Sequence, residues 1–261
     1  MKRALCRRAA GAAAVFFAAT ITVPSAAQNT FEAPRTSYGH PDLTGIWEMR
    51  GTANWNLEGH SGFPGVEPSE SVIVDPPDGR IPYTPEARAR REATNSADDP
   101  HLKCFLAGVP RINYVPGPFR ILQNASMAAI VYQDLHTYRL VPYDRAPIEG
   151  YEFWIGKSQG RWEDDALVVE TISFTDSTWL DKAGNFHSAD MRVTERYWLT
   201  GPNTMQYEAR IDDSNVFTRP WSIRLAADRH PEPGTRIPEH GCLVDDRGNL
   251  YHVNAPESGG H

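Results

Sequence analysis

Apolar and polar residues alternate with period two through residues 187–199. One face carries His187, Ala189, Met191, Val193, Glu195, Tyr197 and Leu199; the other carries Ser188, Asp190, Arg192, Thr194, Arg196 and Trp198. This is the spacing of a β-strand with one face on a core. Similar short runs recur at 128–132, 136–141, 166–174, 204–211 and 221–226, separated by Asp144-Arg145-Ala146-Pro147, Lys182-Ala183-Gly184-Asn185 and Gly201-Pro202-Asn203. A first strand is expected after Gly39–Trp47, and Val72-Ile73-Val74 is a short strand within the Gly- and Pro-rich loop 58–82. Only one helix is expected: Thr84 as N-cap, Pro85 at the first position, ending near Ala93. Strands joined by hairpins without helices between them predict an all-β fold, an antiparallel barrel or sandwich. An extended N-terminal arm over 28–41 and one short helix complete it.

The ends add a compartment. Lys2, Arg3, Arg7 and Arg8 precede an apolar run from Ala9 to Val23, and Ser25-Ala26-Ala27 supplies small residues for cleavage before Gln28. Residues 1–27 therefore have the form of a secretory signal, leaving 28–261 as a single domain, periplasmic or secreted. The run is too short to predict stable membrane insertion. Arg7-Arg8 leaves the twin-arginine route open beside the general one, although Ala9-Ala10-Gly11 fits that signal poorly. With Cys6 removed, Cys104 and Cys242 remain, an even count that predicts a disulfide in an exported chain. In the chain-entropy model such a closure is worth roughly 4–5 kcal/mol. Neither cysteine has a partner at metal-ligand spacing, His240 being a weak exception, so no metal is expected. The net charge of −7, with scattered Lys and Arg, excludes a nucleic-acid partner.

The richest chemistry lies between the runs at 166–174 and 191–199, where Asp176, Trp179, Asp181 and His187 are concentrated. His187 and Glu195 share the apolar face, and a buried Glu must be paired, protonated or beside a wet cavity. The two are eight residues apart, roughly 26 Å along a strand, so they cannot form a dyad. Glu195 has an equal reading as a structural bridge to an Arg of a neighbouring strand, and His187 would find Asp176 or Asp181. A second row, Asp134, His136 and Tyr138, shares a face by parity. It reads either as a proton-moving group or as a surface strand. No Gly-rich phosphate loop, G-x-S-x-G elbow or H-E-x-x-H occurs, so no cofactor is expected.

Gly45-x-Trp47 at the start of the first strand resembles lipocalin-type barrels. More broadly, the chain resembles a family of exported, largely uncharacterised bacterial proteins that open on G-x-P-D-L-x-G-x-W, here Gly39 to Trp47. The resemblance continues through Cys104 with Gly108-Val109-Pro110-Arg111, Gly160 to Thr171, and Phe174-x-Asp176-x-Thr178-Trp179-Leu180-Asp181. His187-Ser188, Glu195-Arg196 and Thr218-Arg219-Pro220-Trp221 complete it. Two departures are Lys157, where that family often has His, and the Cys242 segment. The resemblance implies a barrel-like fold.

These readings converge on a cofactor-free lyase that removes water from an amphipathic ring compound, such as a hydroxysteroid or a lignin-type aromatic. In that reading His187 is the base, oriented by Asp176 or Asp181, with Tyr138 or Tyr207 as proton donor. Lys157 or Arg196 would stabilise an oxyanion, and Trp179 and Trp221 would wall the ring. The alternatives are a non-catalytic periplasmic carrier of a hydrophobic small molecule, or an envelope module whose interior is packed shut.

Overall fold

The strands follow one another around a nearly closed barrel in chain order. The computed structural model describes residues 31–143, 150–230, 236–245 and 250–254; the expected signal peptide and the turn at 144–147 lie outside them. In chain order come β1 (Gly45–Met49), β2 (Ile73–Asp75), α1 (Pro85–Ala93), β3 (Phe119–Gln123), β4 (Met127–Tyr132), β5 (Tyr138–Pro142) and β6 (Lys157–Glu163). They are followed by β7 (Ala166–Ile172), β8 (Arg192–Gly201), β9 (Thr204–Asp212), β10 (Trp221–Arg229), β11 (His240–Val244) and β12 (Leu250–Asn254).

From β1 the sheet passes through β3 and β4 to β5 on one side, and through β10, β9, β8 and β7 to β6 on the other. Every one of these ladders is antiparallel. Nine strands in a ring cannot all alternate in direction, so one parallel seam must remain. It falls between β5 and β6, where the parallel bridge Tyr143–Gly160 joins the end of β5 to β6. The fold is a barrel, not a sandwich. The tenth strand, β2, pairs off the ring with β10, and β11–β12 form a separate hairpin.

One end of the barrel is closed by the N-terminal arm. Gln123 accepts from the Leu43 amide at 2.8 Å and donates to the Pro41 carbonyl at 2.9 Å, and the Trp47 indole donates to the Leu43 carbonyl at 2.9 Å. Arg229 of β10 lies over the Trp47 ring, 4.2 Å from its centroid, and donates to the carbonyls of Thr44 and Pro202. Gly45 is required here: its φ is +149°, and a Cβ would run into the Arg229 guanidinium. The motif Gly39–Trp47 thus builds the stopper of one barrel mouth.

The opposite mouth is filled by residues 107–115, all buried. Arg111 holds Asp99 through two bonds of 2.9 and 2.7 Å and donates to Asn54 at 2.9 Å. Burial works against the Asp99 charge, but Arg111 outweighs it and keeps the carboxyl below its usual range. Cys104 and Cys242 lie at disulfide distance, with Cα atoms 6.0 Å apart, tying the root of this segment to β11. No helix among the described residues is long and apolar enough to cross a membrane.

The helix follows the expectation to the residue: Thr84 accepts from the Ala87 amide and Pro85 begins the first turn. On β8 the predicted faces hold from 191 to 199. On β5, Tyr138 and Leu140 stand outside, 63% and 50% exposed, while Arg139 and Val141 point in. The expected strand from 136 begins only at Tyr138, because 134–136 form a 3-10 turn in which Leu135 and His136 have φ near +50°. The row Asp134, His136, Tyr138 therefore does not exist: Asp134 is buried, while His136 and Tyr138 are exposed.

Candidate functional site

The barrel interior is polar at its centre. Glu195 of β8 points inward and forms an ion pair with Arg139, which reaches across from β5. Its partner is thus an Arg, but from across the barrel rather than from a neighbouring strand. Arg139 also donates to Ser158 at 2.7 Å and Thr171 at 2.5 Å. Around the carboxylate, Tyr197 donates at 2.8 Å, Tyr207 at 3.0 Å and the Asn113 amide at 2.9 Å; Tyr132 donates to Asn113 at 2.9 Å.

Burial, then the adjacent Glu195, pushes the Tyr197 and Tyr207 phenols well above their usual range. Tyr207 is therefore a poor proton donor, and its hydrogen is already committed to Glu195. Asn113 extends down from the segment that stops the mouth, so the space expected to hold a ligand is occupied by the protein's own side chains. Trp221, expected as a ligand wall, is a core residue packed on Phe217.

The other expected group sits on a small hairpin between β7 and β8. Trp179 pairs antiparallel with Phe186, and the Leu180 amide donates to Asn185 at 2.6 Å. That register sets Thr178 opposite His187 at the base and leaves Asp181 at the tip. His187 Nε2 lies 2.7 Å from the Thr178 hydroxyl, and Nδ1 lies 2.8 Å from the Ser188 carbonyl. A carbonyl can only accept, so Nδ1 carries the proton and Nε2 offers its lone pair to the Thr178 hydroxyl. Burial lowers the His187 pKa against the opposing pull of the Ser188 carbonyl, Asp213 and Asp176, which keeps the ring neutral.

The orienting partner is thus a backbone carbonyl and not a carboxylate. Asp176 is exposed and acts on the ring only through its charge. Asp181 is engaged elsewhere, accepting from the Leu57 amide at 2.9 Å and from the Asn185 amide and side chain at 3.2 and 2.5 Å. Thr178 escaped the sequence reading because its partner lies nine residues away across a hairpin whose register only the fold supplies.

Gly108 lies directly over this pair: a Cβ there would stand 2.6 Å from the Thr178 hydroxyl, and its φ is +75°. The segment stopping the barrel mouth therefore also covers Thr178 and His187. Of the remaining expected residues, Trp179 is half-buried on the hairpin, and Lys157 places its ammonium 4.1 Å from the Phe153 ring centroid. Arg196 is on the barrel's outside, bound to Glu163 at 2.5 Å. It cannot reach His187 and does not serve as an oxyanion partner there.

Burial raises the Asp181 pKa to about 6, its three hydrogen bonds opposing the shift. A carboxyl raised in the fold binds a proton that the unfolded chain has released, so its stabilisation is lost as pH rises from about 4 to about 6. The loss should be on the order of 3 kcal/mol. His187 has the opposite sign: its pKa is lowered in the fold, so stability falls as pH drops below about 6.5. Denaturant melts of wild type and Asp181→Asn across this range separate the two. The decline with rising pH should disappear in the variant, and its persistence there would assign it to another group.

The chain matches no family model, no curated protein and no solved structure.

Proposed function

We propose that this chain is an exported, cofactor-independent acid–base enzyme: a lyase that removes water from an amphipathic ring compound of the hydroxysteroid or lignin-aromatic class. The observation that carries the reading is the His187–Thr178 pair under the Gly108 segment. A neutral imidazole with its Nδ1 proton tied to a carbonyl is a fixed general base, because neither its tautomer nor its orientation can drift. In turnover the segment around Gly108 lifts, and the substrate carbon acid takes the place of the Thr178 hydroxyl at Nε2. His187 then accepts the proton as the neighbouring hydroxyl leaves; returned to that hydroxyl, the proton completes the water. The periplasmic or secreted location rests on the form of residues 1–27 and on the Cys104–Cys242 pair. The family resemblance is kept as part of the proposal, supported by the work its Gly39–Trp47 motif does at the barrel mouth.

Incubating mature protein with a panel of hydroxylated keto-steroids and aromatic dimers, and following mass by LC–MS, tests the reading. Loss of one water with wild type is expected, and Thr178→Val should keep activity within about tenfold, since removing one positioning hydrogen bond costs about 1 kcal/mol. A complete loss in Thr178→Val would instead make the hydroxyl itself the reacting group. A second reading, a non-catalytic envelope module, is favoured by the filled barrel interior. The carrier reading has less support, since the interior that would hold cargo is taken by Arg139, Glu195 and three tyrosines.

A further inference from the structure

Three aromatic side chains flank the ring of His40 on the N-terminal arm. The imidazole lies flat on Trp162 of β6, with centroids 5.0 Å apart and planes 10° from parallel. Tyr143, just past β5, meets it edge-on at 6.3 Å, and Tyr38 does so at 5.9 Å. Tyr143 also stands edge-on to Trp162 at 6.4 Å. The bridge Tyr143–Gly160 joins the two sides here, so the group sits on the parallel seam at the stoppered mouth.

Two polar groups in this enclosure are left without a partner. The Tyr143 hydroxyl and the Trp162 indole N–H are both shut off from solvent, and neither makes a hydrogen bond among the described residues. Tyr143 as a whole is only 9% exposed. Burial raises its pKa to about 12, an effect eased by the nearby Trp162 N–H, so the phenol keeps its proton. Two donors taken out of water without an acceptor are costly. An oxygen acceptor that reached both would remove that cost. The imidazole does not supply one: ring contacts are all that holds its side chain among the described residues. The backbone beneath it is pinned, because the His40 carbonyl accepts from the Thr36 amide at 2.9 Å and from the Thr36 hydroxyl at 3.0 Å. The ring can therefore leave by turning about its own bonds while the arm stays in place.

We propose that Trp162, Tyr143 and Tyr38 form a binding site for a flat aromatic ring bearing a carbonyl oxygen, and that His40 fills it as a displaceable stand-in. The ligand ring takes the place of the imidazole on Trp162, and its oxygen accepts from Tyr143 and Trp162. The site lies at the mouth opposite the Gly108 segment, so the inference does not depend on the chemistry proposed for His187.

The Trp162 indole signal in proton–nitrogen NMR, assigned by its absence in Trp162→Phe, tests the site. Mature wild type, His40→Ala and His40→Gln are titrated with acetophenone, a flat ring carrying a ketone oxygen. An unmoved signal from Trp221, which is wholly buried, shows that each variant keeps its core. Acetophenone should move the Trp162 signal saturably in all three proteins, and about tenfold more tightly in the two His40 variants, where no ring has to be displaced. Adding Tyr143→Phe to His40→Ala should weaken it about fivefold. Cyclohexyl methyl ketone, with the same oxygen on a ring that is not flat, should bind at least about fivefold more weakly than acetophenone. No saturable movement in any of the three proteins would overturn the proposal. So would equal affinity in wild type and both His40 variants, or an affinity indifferent to Tyr143→Phe or to the flatness of the ring. Tighter binding of tetramethylammonium than of acetophenone would overturn it too, making the enclosure a cage for a cation.

Discussion

Replacing Glu195 with alanine should destabilise the protein by about 3–5 kcal/mol, because it strands the Arg139 guanidinium in the barrel centre. Arg139 is fully buried; burial opposes its charge, and Glu195 is the partner that holds the charge in place. The same change removes the charged acceptor shared by Tyr197, Tyr207 and Asn113, leaving Tyr197 only the Asn113 side chain and Asn113 only the Pro110 carbonyl and the Tyr207 hydroxyl. Glu195→Gln keeps the shape and should cost less. The double change Arg139→Met with Glu195→Leu removes both charges and should recover much of the loss, since a buried pair is worth little against apolar residues of similar volume. Urea melts of the four proteins check this. Equal destabilisation by the single and double changes would mean that packing, and not the stranded charge, sets the cost.

Trp47→Ala should cost a similar amount, about 3–5 kcal/mol, for a different reason. The indole is wholly buried at the stoppered mouth, takes the Arg229 guanidinium on its face and anchors the arm through the Leu43 carbonyl. Its loss leaves a cavity and releases the arm together. Trp47→Phe retains the ring but not the indole N–H, and should cost only about 1–2 kcal/mol. Thermal melts distinguish the two variants, and faster exchange of the Leu43 amide in Trp47→Phe would report the freed arm directly. An unchanged melting temperature in Trp47→Ala would refute the stopper role of the Gly39–Trp47 motif.

The sequence told the two barrel halves apart unequally. On β8, Met191, Val193, Tyr197 and Leu199 mark the inner face so strongly that one inward Glu does not hide it. On β5, Tyr138 and Leu140 outweigh Val141 in apolarity, so the pattern alone leaves the facing open; the side of Tyr138 lies outside, as the surface-strand reading had it. Arg139 is inside because Glu195 waits for it, and that partner lies 56 residues away. The turn at 134–136 broke the strand through positive φ at Leu135 and His136, and Leu carries no such signal. The region 176–187 was legible as a place of reactive groups. Its pairing was not, because hairpin register and the carbonyl of Ser188 are properties of the folded backbone. Asn113 reaches the centre, and Arg111 fastens the mouth to Asp99, from a segment with no periodic pattern, and only the fold places them.

One comparison tests most directly whether the neutral imidazole of His187 is the working base. Mature wild-type protein and His187→Ala, both shown by circular dichroism to keep the barrel, are incubated with the same hydroxylated substrates and followed by LC–MS. The account predicts loss of water with wild type and a rate at least about 10²-fold lower in the variant, the usual contribution of a positioned base. Equal product from both would contradict His187 as the base, and no product from either across the panel would contradict the lyase reading and favour the envelope module.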